Sequence, residues 1–182
     1  PQFEYIRKSV LAFNLPSVEL INYEADDLIA TYVDRILNKG AKVTIVSSDK
    51  DLMQLFRKNV RIYDPMKNKF INEEDVKNKF GVDSSKVIDV QSLAGDSSDN
   101  VPGVPGIGIK TAAELINKYG NLETLLKSAH EIKQNKRRET LIENKDKAVI
   151  SKKLVTLKHD APIDRDIEEF KLKEVDKDKL YK

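Results

Sequence analysis

The stretch from residue 93 to residue 108 reads LAGDSSDNVPGVPGIG and decides how the second half of the chain folds. Its glycines permit the positive φ angles of a tight hairpin, and they let a phosphate group approach the backbone. The residues that follow predict a helix, whose first turn presents free N–H groups and a positive dipole end to that phosphate. The pattern therefore predicts a helix–hairpin–helix that binds a nucleic-acid backbone without reading its bases. The candidate contact residues are Gly103, Gly106, Gly108, Lys110 and Thr111.

Acidic residues form three tight clusters along the chain. The second cluster directly follows Lys42–Val46, which predicts a buried strand, and ligands gather at the carboxyl ends of such strands. Acids that converge without partners raise one another's pKa, and bound cations stabilise them. Oxygen ligands without His or Cys favour Mg²⁺ or Mn²⁺, so the clusters predict a site for two divalent ions. The candidate metal ligands are Glu24, Asp26, Asp27, Asp49, Asp51, Asp96 and Asp99.

Each of these patterns also has an ordinary structural explanation. Acids in the first turn of a helix favour its dipole, so Glu24–Asp27 is equally typical of capping charge. Asp49-Lys50-Asp51 is also typical of a surface loop, and the glycine stretch of a plain turn between helices. The combination in one chain of acid clusters and a phosphate-binding hairpin favours a metal-dependent enzyme that acts on DNA or RNA.

The first eighty residues alternate between helical and strand patterns, which predicts an α/β core with a parallel sheet. From Ser84 onward the apolar spacing is helical throughout. We therefore expect an α/β metal-site core over residues 1–83, a helix–hairpin–helix region over 84–160 and a charged tail over 161–182. The predicted strands are Val18–Ile21, Lys42–Val46 and Asn59–Tyr63, and the predicted helices are 2–13, 24–40, 51–56, 72–80, 85–95, 108–119, 121–129 and 131–157.

Composition narrows the class of protein. The 182 residues include no cysteine and two histidines, both outside the acid clusters, which argues against a zinc site of the usual type. No apolar run approaches the ~20 residues of a membrane span, so we expect a cytoplasmic protein. Residues 102–158 hold twelve Lys and Arg against six Asp and Glu, whereas residues 1–60 hold eight of each. A basic half beside an acid-clustered half suits a bound polyanion, although a solvated lysine-rich face explains the same charges.

Three stretches carry a resemblance to a known family. They are YEADD at residues 23–27, SDKDLMQL at 48–55 and LAGDSSDNVPGVPGIG at 93–108. In this order they resemble the 5′ nuclease, or flap endonuclease, domain of bacterial DNA polymerase I, and the third stretch is the most specific. The resemblance covers essentially the whole chain. It implies a PIN-like 5′ nuclease core followed by a helical helix–hairpin–helix region of the helix–three-turn–helix type.

The resemblance also implies an activity and its partners. The family hydrolyses DNA near 5′ flaps or nicks with two divalent ions, Mg²⁺ or Mn²⁺, in replication and repair. Its hairpin holds duplex DNA with a K⁺ ion between backbone carbonyls and a phosphate. We expect a monomer that is covalently joined to polymerase domains. By motif, the catalytic residues are Asp26, Asp49, Asp51 and Asp99, and the carbonyl donors to K⁺ are Val101, Val104 and Ile107.

In the family, a strand with a metal-site aspartate, a second aspartate and a basic helical arch come before the region that begins at Pro1. The resemblance therefore implies that the N-terminal portion of the nuclease domain is lacking here. Three hypotheses follow: a Mg²⁺-dependent 5′ nuclease, a non-catalytic DNA-binding fragment with an incomplete metal site, and a related nuclease that acts on RNA.

Overall fold

The computed structural model describes residues 2–180, and these form two compact units. The first unit contains the residues up to Gly40 together with those from Lys158 onward, and the second contains Ala41–Leu157. No helix in the described range is long and apolar enough to cross a membrane. The helices are α1 (Gln2–Ala12), α2 (Ala25–Asn38), α3 (Glu73–Phe80), α4 (Val87–Ala94), α5 (Ile109–Tyr119), α6 (Leu122–Lys127), α7 (Asn135–Glu143), α8 (Lys145–Val155) and α9 (Lys177–Leu180), and the strands are β1 (Val43–Val46), β2 (Val60–Asp64) and β3 (Lys69–Ile71).

In the first unit, the chain that returns after Lys158 packs against α2. Leu28 of α2 is buried together with Ala161 and Ile163, and Val18, Leu20, Tyr23 and Tyr32 pack around them. Arg35 fastens the returning segment, because its guanidinium donates to the carbonyl of Ile163 at 2.7 Å. The segment that the sequence places at the start of a charged tail therefore contributes two buried apolar side chains to this core.

The predicted strand Val18–Ile21 is wrong, because these residues belong to no strand in the structure. Asn14 and Asn22 have positive φ angles and turn the chain on either side of the segment. Between them Val18 and Leu20 pack against the core of the first unit. The apolar alternation thus reflects an irregular segment in which every second side chain is partly buried, without a hydrogen-bonded neighbour strand.

The sheet of the second unit has the order β1-β2-β3. β1 and β2 run parallel, with Val43 opposite Val60, as the alternation of elements predicts. β3 is antiparallel to β2 and was not predicted, because it has only three residues and follows a tight turn. The helix predicted from Asp51 is a 3-10 turn over Asp51–Leu55.

α3 confirms the prediction of a helix capped by Asn72. The Asn72 side chain accepts a hydrogen bond from Asp75 N at 2.9 Å, and the Asp75 carboxylate accepts one from Asn72 N at 3.0 Å. This reciprocal capping satisfies two backbone N–H groups at the start of the helix. Gly81, with φ of 72°, ends the helix.

The second unit continues as helices packed around α4. Three apolar residues of α4, Val87, Val90 and Leu93, are fully buried, and α4 packs against α5 and α8. The single helix predicted over 131–157 is wrong, because α7 and α8 are separated at Asn144. The Asn144 side chain donates to the carbonyl of Thr140 at 2.9 Å, and such a local side-chain bond competes with the helical ladder.

Candidate metal and nucleic-acid site

Asp49 and Asp51 lie immediately beyond the carboxyl end of β1, where the sequence predicts them. Asp49 N donates to the hydroxyl of Ser47 at 3.0 Å, and Asp51 N donates to the Asp49 carboxylate at 2.9 Å. The chain therefore turns sharply after the strand, and the 3-10 turn that begins at Asp51 holds the second carboxylate in place. In parallel sheets this edge is where ligands bind.

Asp51 is held from a second direction by Gln91 of α4. The Gln91 amide donates to Asp51 Oδ1 at 2.5 Å. Burial raises the pKa of Asp51 above its ordinary value, the hydrogen bond from Gln91 opposes that rise, and the charges of Asp49 and Asp99 add to it. Gln91 is itself buried, and in the described part of the chain its Oε1 has no hydrogen-bond partner.

Asp96 and Asp99 lie in the loop that connects α4 to α5. The loop is closed by two hydrogen bonds between the backbones of Asp96 and Val101, at 3.0 and 2.8 Å. Asp96 Oδ1 accepts from Ser98 N at 2.9 Å, and Asp96 Oδ2 accepts from the ammonium group of Lys50. The hydrogen bond from Lys50 lowers the pKa of Asp96, so this carboxylate is ionised at neutral pH. The Lys50 contact also joins the second and third acid clusters within one unit.

The first acid cluster lies in the first unit, at the start of α2. Glu24 is the N-cap residue of this helix, and Asp26 and Asp27 are in its first turn. Asp27 Oδ2 accepts from Glu24 N at 3.3 Å, and Asp27 Oδ1 accepts from Lys158 N at 2.8 Å. Asp27 thus completes a capping box and holds the returning chain, so the structural role that the sequence left open is present.

The acids of the second unit are of the type that binds divalent cations, but in the structure they contact protein groups instead. Gln91 binds Asp51, and Lys50 binds Asp96. Within residues 2–180 no three Asp, Glu or His side chains are grouped as a bound ion requires. The Lys50 ammonium is instead the cation beside Asp96, and the charges of Asp51 and Asp99 also act on it. A cationic side chain thus already lies beside these acids, and their all-oxygen donor set is of the type that suits Mg²⁺ or Mn²⁺.

The glycine hairpin is built as the sequence predicts. Gly106 has φ of 73°, which confirms the positive φ expected there, and Gly108 is the N-cap residue of α5. Lys110 is exposed in the first turn of that helix. The free N–H groups of a helix start, next to a lysine, form a site suited to a phosphate.

Three contacts fix the hairpin to the rest of the second unit. Val104 N donates to the carbonyl of Leu93 at 2.8 Å, and Gly103 N donates to the hydroxyl of Ser151 at 2.9 Å. Gly103 also lies against the backbone of Gly95, where an added Cβ would be 2.5 Å from the Gly95 nitrogen. The hairpin is therefore fastened to α4 and α8 by its buried residues while its tip is exposed, which suits a binding element.

The three proposed carbonyl donors to K⁺ have buried side chains. The carbonyl of Val101 accepts from Asp96 N at 3.0 Å, and that of Val104 accepts from Ile107 N at 3.1 Å. Since a carbonyl has two lone pairs, these hydrogen bonds leave each oxygen able to bind a cation as well.

Sequence reasoning missed three side chains that hold this site: Lys50, Gln91 and Ser151. Lys50 lies between two predicted metal ligands, and that position is the one signal that could have drawn attention to it. Gln91 and Ser151 lie inside ordinary helical patterns, so only the fold reveals their contacts with Asp51 and Gly103. Arg138 donates to the carbonyl of Ile132 at 2.9 Å, which gives it a structural role.

Two family models together match almost the whole chain. One describes the N-terminal resolvase-like domain of 5′-3′ exonucleases and matches residues 1–81. The other describes the C-terminal SAM fold of 5′-3′ exonucleases and matches residues 82–178. The chain belongs to the 5′-3′ exonuclease family. The fold class expected from the sequence, an α/β core followed by a helical region, is confirmed.

Two relatives are similar in sequence to the chain over most of its length. DNA polymerase I of Rhizobium leguminosarum is 56% identical over 168 residues, which cover 92% of this chain and 16% of the relative. The 5′-3′ exonuclease of Aquifex aeolicus is 40% identical over 179 residues, which cover 98% of this chain and 61% of the relative. The chain thus spans about a sixth of the polymerase and about three fifths of the exonuclease.

A solved structure shares the fold. The flap endonuclease of bacteriophage T5, crystallised in a complex with DNA and metal ions, superposes with a TM-score of 0.75 at 23% identity. The match covers 84% of this chain and 57% of the phage protein. At this identity the similarity establishes the fold of the 5′-3′ exonuclease chain.

Proposed function

We propose that this chain is the nuclease part of a structure-specific 5′-3′ exonuclease, or flap endonuclease, that hydrolyses DNA phosphodiesters with divalent metal ions. The observation that supports this most directly is the placement of Asp49 and Asp51 beyond β1, with Lys50 in contact with Asp96. Asp49 and Asp51 lie at the sheet edge where ligands bind, and the ammonium group of Lys50, between them in sequence, pairs with Asp96. Membership of the 5′-3′ exonuclease family agrees with this chemistry.

The proposed metal ligands are the seven acids of the three clusters, and Mg²⁺ or Mn²⁺, as two ions, fits their oxygen donors. When bound, divalent ions neutralise the phosphodiester and lower the pKa of an attacking water. The chain's own part is to fix the carboxylates. Gln91 holds Asp51, and the closed loop holds Asp96. For the first cluster the proposal rests on the sequence motif.

The proposed DNA contact is the hairpin from Gly103 to Gly108 with Lys110 and Thr111. Its backbone N–H groups and the lysine bind phosphates, so binding is independent of base sequence. We propose that a K⁺ ion, bound by the carbonyls of Val101, Val104 and Ile107, joins the hairpin to a phosphate. The rigid anchoring through Ser151 supports this assignment, because a phosphate site needs fixed donors.

We further propose that the chain acts in replication and repair as a covalent part of DNA polymerase I. This is supported by the 56% identity to the Rhizobium polymerase, of which the chain spans 16%. A second candidate is a non-catalytic DNA-binding fragment. It is favoured by the finding that, across residues 2–180, three acids are nowhere grouped as a metal ion requires.

The decisive experiment is cleavage of an end-labelled 5′-flap DNA by the chain. We expect cutting with Mg²⁺ or Mn²⁺, no cutting with chelator, and loss of cutting in Asp49→Asn with flap binding retained. Asp146→Asn, an exposed acid in the first turn of α8, is the matched control and should cut normally. A fully active Asp49→Asn variant contradicts the proposed site. Flap binding without cleavage by the unmodified chain favours the second candidate, and faster cutting of a matched RNA flap favours an RNA nuclease.

A further inference from the structure

Lys50 lies in the chain between two proposed metal ligands, yet it contacts a third. Its Nζ donates a hydrogen bond to Asp96 Oδ2, and Asp96 belongs to the third acid cluster, 46 residues further along the chain. The Lys50 side chain is 33% exposed and that of Asp96 is 10% exposed, so the pair is partly shielded from water. Partial shielding makes such an ion pair stronger than one on an open surface.

The two partners differ in how firmly they are held. Asp96 is fixed by hydrogen bonds from Ser98 N to its other oxygen and by the backbone pairing with Val101. Lys50 has a flexible four-carbon stem, and its head can leave without disturbing the backbone. The cation is therefore the exchangeable member of the pair.

The Lys50 ammonium interacts with more than one carboxylate. It is hydrogen-bonded to Asp96, and the charges of Asp51 and Asp99 also act on it. One ammonium thus interacts with carboxylates from both acid clusters of the second unit. Without it, these carboxylates would repel one another, which destabilises the folded chain.

We propose that Lys50 is an internal counter-ion that occupies the carboxylate cluster until a divalent ion displaces it from Asp96. This rests on the proposed metal site and adds a residue that sets its affinity. A divalent ion that binds Asp96 has to break the Lys50 contact, so the lysine weakens metal binding. In return, it stabilises the metal-free protein through its ion pair with Asp96.

The test compares Lys50→Met, which removes the charge and keeps the stem, with Lys50→Arg, which keeps the charge. Mn²⁺ affinity is measured from the signal of free Mn²⁺ in electron paramagnetic resonance, and thermal unfolding is measured in chelator. We expect Lys50→Met to bind Mn²⁺ about fivefold more tightly and to unfold about 2–4 °C lower in chelator. Lys50→Arg should match the unmodified chain in both measurements, and Lys50→Gln serves as a second neutral variant.

Lys79→Met is the matched control. Lys79, on α3, also interacts with the charges of Asp49 and Asp51, but it is not the partner of Asp96. Removing it lowers the positive charge of the same region without releasing a carboxylate, so its effect on Mn²⁺ affinity should be clearly smaller. Equal effects of Lys79→Met and Lys50→Met would show a general field effect and overturn the counter-ion role.

Two outcomes separate this inference from the proposed function. If Asp49→Asn weakens Mn²⁺ binding while Lys50→Met leaves it unchanged or weaker, the metal site stands and the role of Lys50 is wrong. If the unmodified chain and Asp49→Asn bind Mn²⁺ equally, the metal site itself is wrong, and the counter-ion proposal is overturned with it.

Discussion

At the scale of single residues, Asp27 shows how one carboxylate can satisfy a motif and still have a structural role. One of its oxygens accepts from Glu24 N at the start of α2, and the other accepts from Lys158 N in the returning chain. The sequence motif assigns Asp27 to the metal, whereas these contacts assign it to the packing of the first unit. The two roles make different predictions for the same substitution.

We expect Asp27→Ala to destabilise the chain in chelator by about 1 kcal/mol, because a helix-capping bond and a tie between two segments are lost. Urea unfolding measures this change, and faster amide exchange at Lys158 localises it. Asp27→Asn keeps one acceptor oxygen, so its free energy of unfolding should lie between those of the unmodified chain and Asp27→Ala. If Asp27 is also a metal ligand, as proposed, Asp27→Ala weakens Mn²⁺ binding as strongly as Asp49→Asn. An unchanged stability in chelator would contradict the structural role of Asp27.

At the scale of elements, the hairpin between α4 and α5 depends on glycines for two separate reasons. Gly106 has φ of 73° in open space, so a side chain there meets only backbone strain. Gly103 has φ of 58°, and an added Cβ would also lie 2.5 Å from the nitrogen of Gly95. Gly108 has φ of −89° and open space around it, which any residue can adopt.

A series of three alanine substitutions separates strain from crowding. Gly108→Ala should leave the free energy of unfolding nearly unchanged, and Gly106→Ala should lower it by about 1–2 kcal/mol through the left-handed backbone. Gly103→Ala should lower it by a further ~1–3 kcal/mol, because two backbone segments have to separate. Urea midpoints of the three variants test this order. Equal midpoints for Gly103→Ala and Gly108→Ala would contradict the close packing against Gly95.

The elements also show what the sequence can and cannot predict. β1 and β2 can be predicted because runs of β-branched residues favour buried strands. The start of α3 can be predicted because Asn is a favoured N-cap residue, as at Asn72. β3 has only three residues, and the Val18–Ile21 segment has a strand pattern without a pairing partner, so pattern alone fails for both. The acids and glycines of the candidate site are visible as residue types. The side chains that support them, Lys50, Gln91 and Ser151, make contacts with residues 40 to 48 positions away in the sequence, which no local pattern contains.

At the scale of the whole molecule, charge is the property that matters most for binding. The formal net charge is +2, yet residues 102–158 alone have twelve basic and six acidic residues. Several of these cations are used within the fold. Lys152, for example, pairs with Asp89 and Glu123 at 2.7 Å each. The number of phosphates bound is therefore smaller than the number of basic residues, and the salt dependence of binding can count them.

We expect duplex affinity to fall steeply with salt and to be nearly independent of base sequence, because the proposed contacts are to phosphates. Lys110→Ala should reduce the slope of log K against log salt by about 1 and weaken unrelated duplexes equally. Lys118→Ala removes the same charge at the other end of α5, where Lys118 lies over the Tyr119 ring, and should leave the slope unchanged. Fluorescence anisotropy at four or more salt concentrations gives both slopes. Equal slope changes for the two variants would mean that charge acts diffusely rather than at the hairpin, and a loss confined to one DNA sequence would contradict backbone recognition.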